Sequence, residues 1–321
     1  MAPVSTSRSA SAASAATRGG PVLAGDVESF ATYLASCDRI LALLGAGLSA
    51  GSGLPTFRGA GGLWRRHDAM SLATPEAFSA NPALVWQFYN YRRHMALTAR
   101  PNRAHRALAA LAKSNPNFVT LTQNVDGLSQ RAGHPSSTLH LLHGSLFDVK
   151  CTSFYCSYTE HDNFTDPIVP ALAIPTAPSS SHANAGASQE VDLSDHDIPM
   201  ADVPTELLPR CPECHTGLLR PGVVWFGEAL PENTIDAIDA WIRAAPRIDL
   251  ILVIGTSSRV YPAASYIDEA RAKGARVAVV NMDPNDLPKT NGGLKRTDWF
   301  FQGDAAVLLP EMLRGVVGEI A

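Results

Sequence analysis

Cysteine is scarce. The 321 residues hold five, too few to staple a disulfide scaffold, and four fall into two close pairs, which points to metal ligation in a reducing compartment. An excess of one charge is also lacking: 26 basic against 30 acidic side chains give −4, so the basic surplus of a nucleic-acid-binding surface is missing. No apolar run approaches the ~18 residues of a membrane span. The longest candidates, RILALLG and LILVIG, have the length of strands. Acidic residues are absent from the first 20 positions, MAPVSTSRSASAASAATRGG, which hold two arginines but no apolar run long enough for a secretory signal. Two readings stay open for residues 1–20, a disordered tail or a mitochondrial targeting segment. The chain is long enough for one large domain or two modest ones, and 45% of it is apolar.

Short β-rich runs recur, each ending abruptly in Gly, Asn or Ser: RILALLGAG (39–47), FVTLTQN (118–124), TLHLLHG (138–144), LILVIGTS (250–257) and ARVAVVN (275–281). Helical periods lie between them, as in AHRALAALAK (104–113) and AASYIDEARAKG (263–274), and residues 25–37 read as a short amphipathic helix. Strands alternating with helices predict an α/β fold around a doubly wound parallel sheet, with ligands outside the carboxyl ends of the strands. Residues 157–209 break the pattern. Their Ser, Ala, Asp and Pro without apolar period predict a disordered, solvated insertion, with a structured lid as the sharper alternative.

GAGLSAGSG (45–53) follows the first strand directly, so its backbone N–H groups can approach a pyrophosphate. The spacing of Gly45, Gly47 and Gly51 is G-x-G-x-x-x-G rather than the dehydrogenase fingerprint, and no acid-ending second strand follows about twenty residues on; both disfavour hydride transfer. Beyond it, a glycine-rich loop with Pro55 presents Phe57 and Arg58 to a bound ligand. Gln123, Asn124 and Asp126 cluster after a strand, where they can bind a carboxamide or cap a turn. His143 sits at the ligand edge of the sheet and suits general-base work, while alternation sends His140 to the other face. Cys151 and Cys156, then Cys211 and Cys214, have the spacing of a structural zinc site with no open position; His215 is a possible substitute ligand, and Cys37 packs on the early helix.

The segment GAGLSAGSGLPTFRGAGGLW resembles the cofactor loop of the sirtuins, NAD-dependent protein-lysine deacylases, and TQNVDGL, HGSLF, VVWFGE and GTSSRVYPAA resemble further sirtuin motifs in the expected order. The resemblance covers about residues 22–310. It implies a Rossmann-like large domain from residues 21–64, 101–145 and 223–321, a helical acyl-pocket segment at 65–100 and a small zinc-binding module at 146–222. It assigns NAD to Gly45, Ala46, Gly47, Ser49, Pro55, Thr56, Phe57, Arg58, Trp64, Gln123, Asn124, Asp126, Gly255, Thr256, Ser257, Asn281, Met282, Asp283 and the backbone of Ala305. Val224, Trp225, Phe226 and Gly227 would pair with substrate backbone as an added strand. The implied chemistry consumes NAD: the acyl-lysine oxygen attacks the anomeric carbon as nicotinamide leaves, His143 deprotonates a ribose hydroxyl, and water releases lysine and O-acyl-ADP-ribose.

The helix PALVWQFYNYRRHMAL (82–97) narrows the substrate. Its spacing predicts Leu84, Phe88, Tyr91 and Met95 as a core face flanked by Val85, Tyr89 and Arg92, with Arg93 pointing away. By geometry alone Tyr89 and Arg92 fit either a snorkelling arginine or a carboxylate pocket. The Tyr-x-x-Arg resembles that of class III sirtuins, which prefer malonyl-, succinyl- and glutaryl-lysine, and Ala69 matches a pocket-enlarging small residue. The expectation is an acidic-acyl deacylase with weak deacetylation, acting as a monomer on protein substrates, mitochondrial or else cytoplasmic or nuclear. A neutral-acyl deacetylase, an ADP-ribosyl transferase and a non-catalytic NAD sensor are the rival readings.

Overall fold

The computed structural model describes residues 26–56, 63–178, 188–289 and 293–320. The 1–20 segment and the loop residues Phe57 and Arg58 lie outside the described residues. Chain order runs α1 (Val27–Leu34), β1 (Ile40–Leu44), α2 (Gly47–Ala50), β2 (Leu63–Trp64), β3 (His67–Asp68), α3 (Ala69–Leu72), α4 (Pro75–Ala80), α5 (Pro82–Thr98), α6 (Arg103–Ser114), β4 (Phe118–Thr122), α7 (Leu128–Arg131), β5 (Leu139–Leu141) and β6 (Gly144–Cys151). It continues through β7 (Thr159–Glu160), β8 (Thr176–Pro178), β9 (Ser188–Glu190), β10 (Leu219–Val223), α8 (Glu232–Ala244), β11 (Leu250–Ile254), α9 (Ser265–Ala272), β12 (Arg276–Asn281), β13 (Trp299–Gln302) and α10 (Ala305–Val317).

The main sheet has the order β13-β12-β11-β1-β4-β5 with every neighbouring pair parallel. Numbered along the chain, its six strands have the Rossmann order 3-2-1-4-5-6, so the chain reverses direction across the sheet between β1 and β11. Strand alternation separates two apolar faces. Ile40, Ala42, Leu44, Leu250, Leu252 and Ile254 pack with Leu108, Leu309 and Leu313 of α6 and α10. Leu41, Leu43, Ile251 and Val253 face Ile238, Ile242, Tyr266 and Ile267 of α8 and α9. With Leu44 level with Thr122 and Ile254, and Ile254 level with Val280, the polar strand ends emerge along one edge.

The second unit combines the sheet β10-β6-β7 with α3, α4 and α5 around a separate apolar cluster. Helix α5 starts where Asn81 accepts the Leu84 N–H at 2.9 Å and Pro82 takes the first helical position. It is buried on more than one side, which corrects the expectation of a single core face: Val85, Trp86, Tyr89, Asn90 and Arg93 are buried, whereas Leu84 and Met95 are only partly so.

The reason is the segment 157–209, parts of which pack against the helix although many of its described residues stay exposed. Leu172, Leu193, Val203 and Leu208 enter the small-unit core, and the segment lies against the polar stripe Gln87, Asn90, Arg93 and His94 of α5. Gln87 donates to the Ala201 carbonyl at 2.7 Å, Asn90 to Leu172 at 3.0 Å, and Tyr91 to the Asp192 carboxylate at 2.6 Å. His94 stands between Asp166 and Glu190, at 2.7 and 2.9 Å. Arg93 does not point away. Fully buried, it donates to the carbonyls of Leu146, Asn163 and Thr165 and to the Asn163 side chain, joining α5 to β6 and to the wrapped segment.

Removing that guanidinium strands several buried acceptors, each charge-assisted bond being worth roughly 1.5–3 kcal/mol. Arg93→Met is expected to lower the apparent Tm by about 5 °C or more, read by circular dichroism, whereas an unchanged Tm would show the wrapped segment to be dispensable for stability.

Candidate active site

The cleft lies across the carboxyl edge of the main sheet and reaches into the small unit, with a volume of about 1170 Å³. Its floor is backbone. The Gly47 N–H donates to the Gly255 carbonyl at 2.9 Å, and a Cβ on Gly47 would stand 2.7 Å from the Gly255 Cα. Gly255 has φ +60°, and a Cβ there would meet the Leu48 nitrogen at 2.5 Å, so no side chain fits on either side of this contact. The result is a bare cradle at the β1–β11 reversal, with Ala46, Thr256, Ser257, Asn281, Met282 and Asp283 around it. That is the shape and chemistry a dinucleotide needs.

Beside the floor, Asn124 donates to the Gly45 carbonyl at 3.0 Å and to Ser49 Oγ at 3.2 Å. Ser49 in turn donates to Asp126 Oδ2 at 2.7 Å, while the other Asp126 oxygen accepts the Leu128 N–H. Gln123 spans from the Leu44 carbonyl to Thr256 Oγ1, tying the ends of β1 and β11 together. His143 faces the same space. Its Nδ1 lies 3.1 Å from the Gln123 carbonyl, and because a carbonyl only accepts, the proton sits on Nδ1 and the Nε2 lone pair is left free. Burial holds the imidazole below its usual pKa of 6.5, against the opposing pull of that bond.

At the small-unit end, Tyr89 and Arg92 line the cleft together with Met70, Ala73, Tyr91, Met95 and Ala96. Burial pushes the Tyr89 phenol up to about 12, so it keeps its proton. Burial also lowers the Arg92 guanidinium, opposed by Tyr89 and Asp126. Val224, Trp225, Phe226 and Gly227 form the adjoining wall, and the Val224 N–H donates to the His143 carbonyl at 2.9 Å, which sets this segment, just past β10, beside the histidine.

With this geometry in place, the Sir2 family profile matches residues 45–262. The chain belongs to the Sir2 family. An NAD-dependent protein deacylase of Candida albicans is 48% identical over 307 residues, covering 92% of this chain and 99% of that protein. The mitochondrial NAD-dependent protein deacylase sirtuin-5 of Xenopus tropicalis is 44% identical over 287 residues, covering 88% and 83%. Among solved structures, a Sir2 homolog–NAD complex has a TM-score of 0.67 at 34% identity, covering 89% of this chain and 92% of that one. A Sir2–p53 peptide–NAD+ complex reaches 0.63 at 26%, covering 90% and 96%.

Three residues expected in this sirtuin's cleft lie elsewhere. Trp64 is buried in the small-unit core, its ring centroid 5.4 Å from that of Phe88. Ala69 is buried in the same core, and Met70 and Ala73 line the cleft instead. Ala305 is buried in the first turn of α10, and its neighbour Asp304 reaches the cleft while capping that helix. Sequence reasoning also missed the pair Arg220 and Glu228. Their only signal is the charge flanking each end of the PGVVWFG segment.

The four paired cysteines converge in the small unit, with all four Sγ atoms within 4.8 Å of one another. Cys151 and Cys214 are 3.6 Å apart and Cys156 and Cys211 3.7 Å, close to the ~3.8 Å edge of a tetrahedron with Zn–S bonds of about 2.3 Å. The Ser153, Cys214 and Gly217 N–H groups point at sulfur, as thiolates require. His215 is not part of the cluster. The residues fit a structural zinc ion held by Cys151, Cys156, Cys211 and Cys214.

A Cβ on Gly217 would stand 2.5 Å from Cys151 Sγ. Gly217→Ala is therefore expected to purify with less than about half of the wild-type zinc per chain, measured by atomic emission, since disturbing a ligand's surroundings typically costs ~10-fold or more in affinity. Full occupancy would contradict the tight packing around that sulfur.

Proposed function

We infer that this chain is an NAD-dependent protein-lysine deacylase that prefers acyl groups ending in a carboxylate. The observation that carries the reading is one continuous cleft with the glycine floor at one end, His143 between, and Tyr89 with Arg92 at the other. NAD, when bound, supplies the anomeric carbon that accepts the acyl oxygen as nicotinamide leaves. Gly45, Gly47 and Gly255 admit the phosphates, and Asn281 and Asp283 offer acceptors for ribose hydroxyls. Ser49, Asn124 and Asp126 line the nicotinamide end. His143, neutral at pH 7, takes a proton from a ribose hydroxyl through Nε2.

Tyr89 offers an O–H and Arg92 a cation to the far end of the acyl chain, a pairing with a use for a carboxylate and none for a methyl group. A Sir2 relative binds a p53 peptide, and in this chain substrate peptides add as a strand along Val224–Gly227. The sirtuin-5 relatives are named mitochondrial, and the Ser- and Arg-bearing, acid-free residues 1–20 support the same compartment here.

Arg92→Met is expected to cut kcat/KM for a succinyl-lysine peptide by about 100-fold while leaving the acetyl-lysine value within about threefold, from the loss of a charge-assisted pair of ~2–3 kcal/mol. Equal loss on both peptides would favour a neutral-acyl deacetylase. His143→Tyr is expected to abolish both, with formation of O-acyl-ADP-ribose followed by mass spectrometry.

The pH dependence follows from the histidine. Because its pKa is held below 6.5, the base form persists at neutrality, and activity is expected to fall only as pH drops below 6.5. An acid limb of kcat/KM centred above pH 7 would exclude His143 as the titrating base.

A further inference from the structure

Tyr89 holds the acyl end of the cleft, yet what fixes its hydroxyl lies behind it. The Trp225 indole N–H donates to the Tyr89 oxygen at 3.0 Å. An indole nitrogen can only donate, so the phenol accepts there, and its own proton must go elsewhere. Among the described residues no acceptor stands within hydrogen-bond reach of that proton, and both side chains are buried. A buried donor without an acceptor is costly, so the phenol is set to give its proton to something in the cleft.

Trp225 is itself held from its other face. The Arg220 guanidinium carbon lies 3.2 Å from the indole centroid, and Arg220 forms a two-pronged pair with Glu228, one prong at 2.9 Å. Glu228 closes the arrangement by accepting the Trp225 backbone N–H at 2.8 Å, and Arg220 also donates to the Val223 carbonyl at 2.9 Å. A cation on the indole face draws electron density from the ring and makes its N–H a stronger donor; a phenol that accepts a stronger bond becomes a stronger donor in turn.

We propose that Arg220, which is not itself a cleft-lining residue, is a positioning residue for acyl selectivity, acting through Trp225 to aim and strengthen the Tyr89 O–H toward an anionic acyl terminus. The proposal rests on the acidic-acyl reading above and extends it to a residue outside the pocket. The relay runs from a cation through two neutral donors, and the acceptor that best completes it is a carboxylate. An acetyl group offers no acceptor at that distance from lysine and gains nothing from it.

The test compares one peptide sequence carrying succinyl- or acetyl-lysine, with NAD, across wild type, Glu228→Gln and the double variant Arg220→Met with Glu228→Gln. The double variant leaves no unpaired buried charge, and the glutamine oxygen still accepts the Trp225 amide. The succinyl-to-acetyl ratio of kcat/KM is expected to fall about three- to tenfold in the double variant, through a raised KM for the succinyl peptide, and to stay within about twofold of wild type in Glu228→Gln. A merely structural Arg220 would lower both peptides together, and an unchanged ratio overturns the proposal.

Should the double variant fail to fold by circular dichroism, Trp225→Phe carries the test, since it keeps a ring and removes the N–H. The same fall in ratio supports the relay, and its absence overturns it. A wild type that favours acetyl over succinyl would instead overturn the acidic-acyl reading, whatever the variants do.

Discussion

Backbone against backbone, Gly47 and Gly255 meet where the chain order of the main sheet reverses, and the geometry of the cleft depends on that contact. Six parallel strands bring their polar ends to one edge, but only where β1 and β11 lie side by side do the following loops diverge and leave a crevice. A side chain on either glycine would drive the two backbones apart. Gln123 then ties the two strand ends together through its side chain, and its backbone carbonyl fixes the tautomer of His143, so one residue sets both the floor and the imidazole. The chemistry of the cleft is thus a consequence of strand order and register before any ligand arrives.

In the proposed function the small unit supplies selectivity, and the structure fixes α5 for that role. This helix presents Tyr89 and Arg92 to the cleft while burying Trp86, Asn90 and Arg93 elsewhere. The Trp86 indole donates to the Leu219 carbonyl at 2.8 Å, binding α5 to the strand that leads into the substrate wall. On its other side, the segment between the zinc cysteines lies against the helix, giving Arg93 three of its four acceptors, with the Leu146 carbonyl of β6 the fourth. The four thiols clamp both ends of that segment to the same three-stranded sheet. The zinc-site cysteines, the described part of the wrapped segment and the cleft-lining residues of α5 are in this sense one mechanical assembly.

Much of this was legible in the sequence for specific reasons. Strands buried on both faces leave continuous apolar runs, and RILALLG and LILVIG could hardly be anything else at that length. Cysteine pairs are legible because tetrahedral ligation demands spacing. Segment 157–209 was not legible: its described contacts come from scattered apolar residues, Leu172, Leu193, Val203 and Leu208, and from carbonyls offered to Gln87, Asn90 and Arg93, and neither makes an apolar period. Arg93 was misread for the matching reason, since a periodicity rule sends a charge to solvent unless its acceptors are known. Trp64, Ala69 and Ala305 were placed one step from where they lie, because resemblance carries a motif's position and not the direction of each side chain. Arg220 and Glu228 were missed because the charges flanking PGVVWFG say nothing of Tyr89, which lies about 130 residues earlier.

The central claim is geometric: the acyl carboxylate lies between the Tyr89 hydroxyl and Arg92, while the lysine-proximal carbonyl reaches the His143 side of the same cleft. A crystal structure of the chain with a succinyl-lysine peptide and a non-hydrolysable NAD analogue measures this directly. The account predicts the carboxylate within hydrogen-bond distance, about 2.6–3.0 Å, of Tyr89 Oη and of an Arg92 nitrogen. A succinyl chain turned away from both residues, with its carboxylate in solvent, would contradict it.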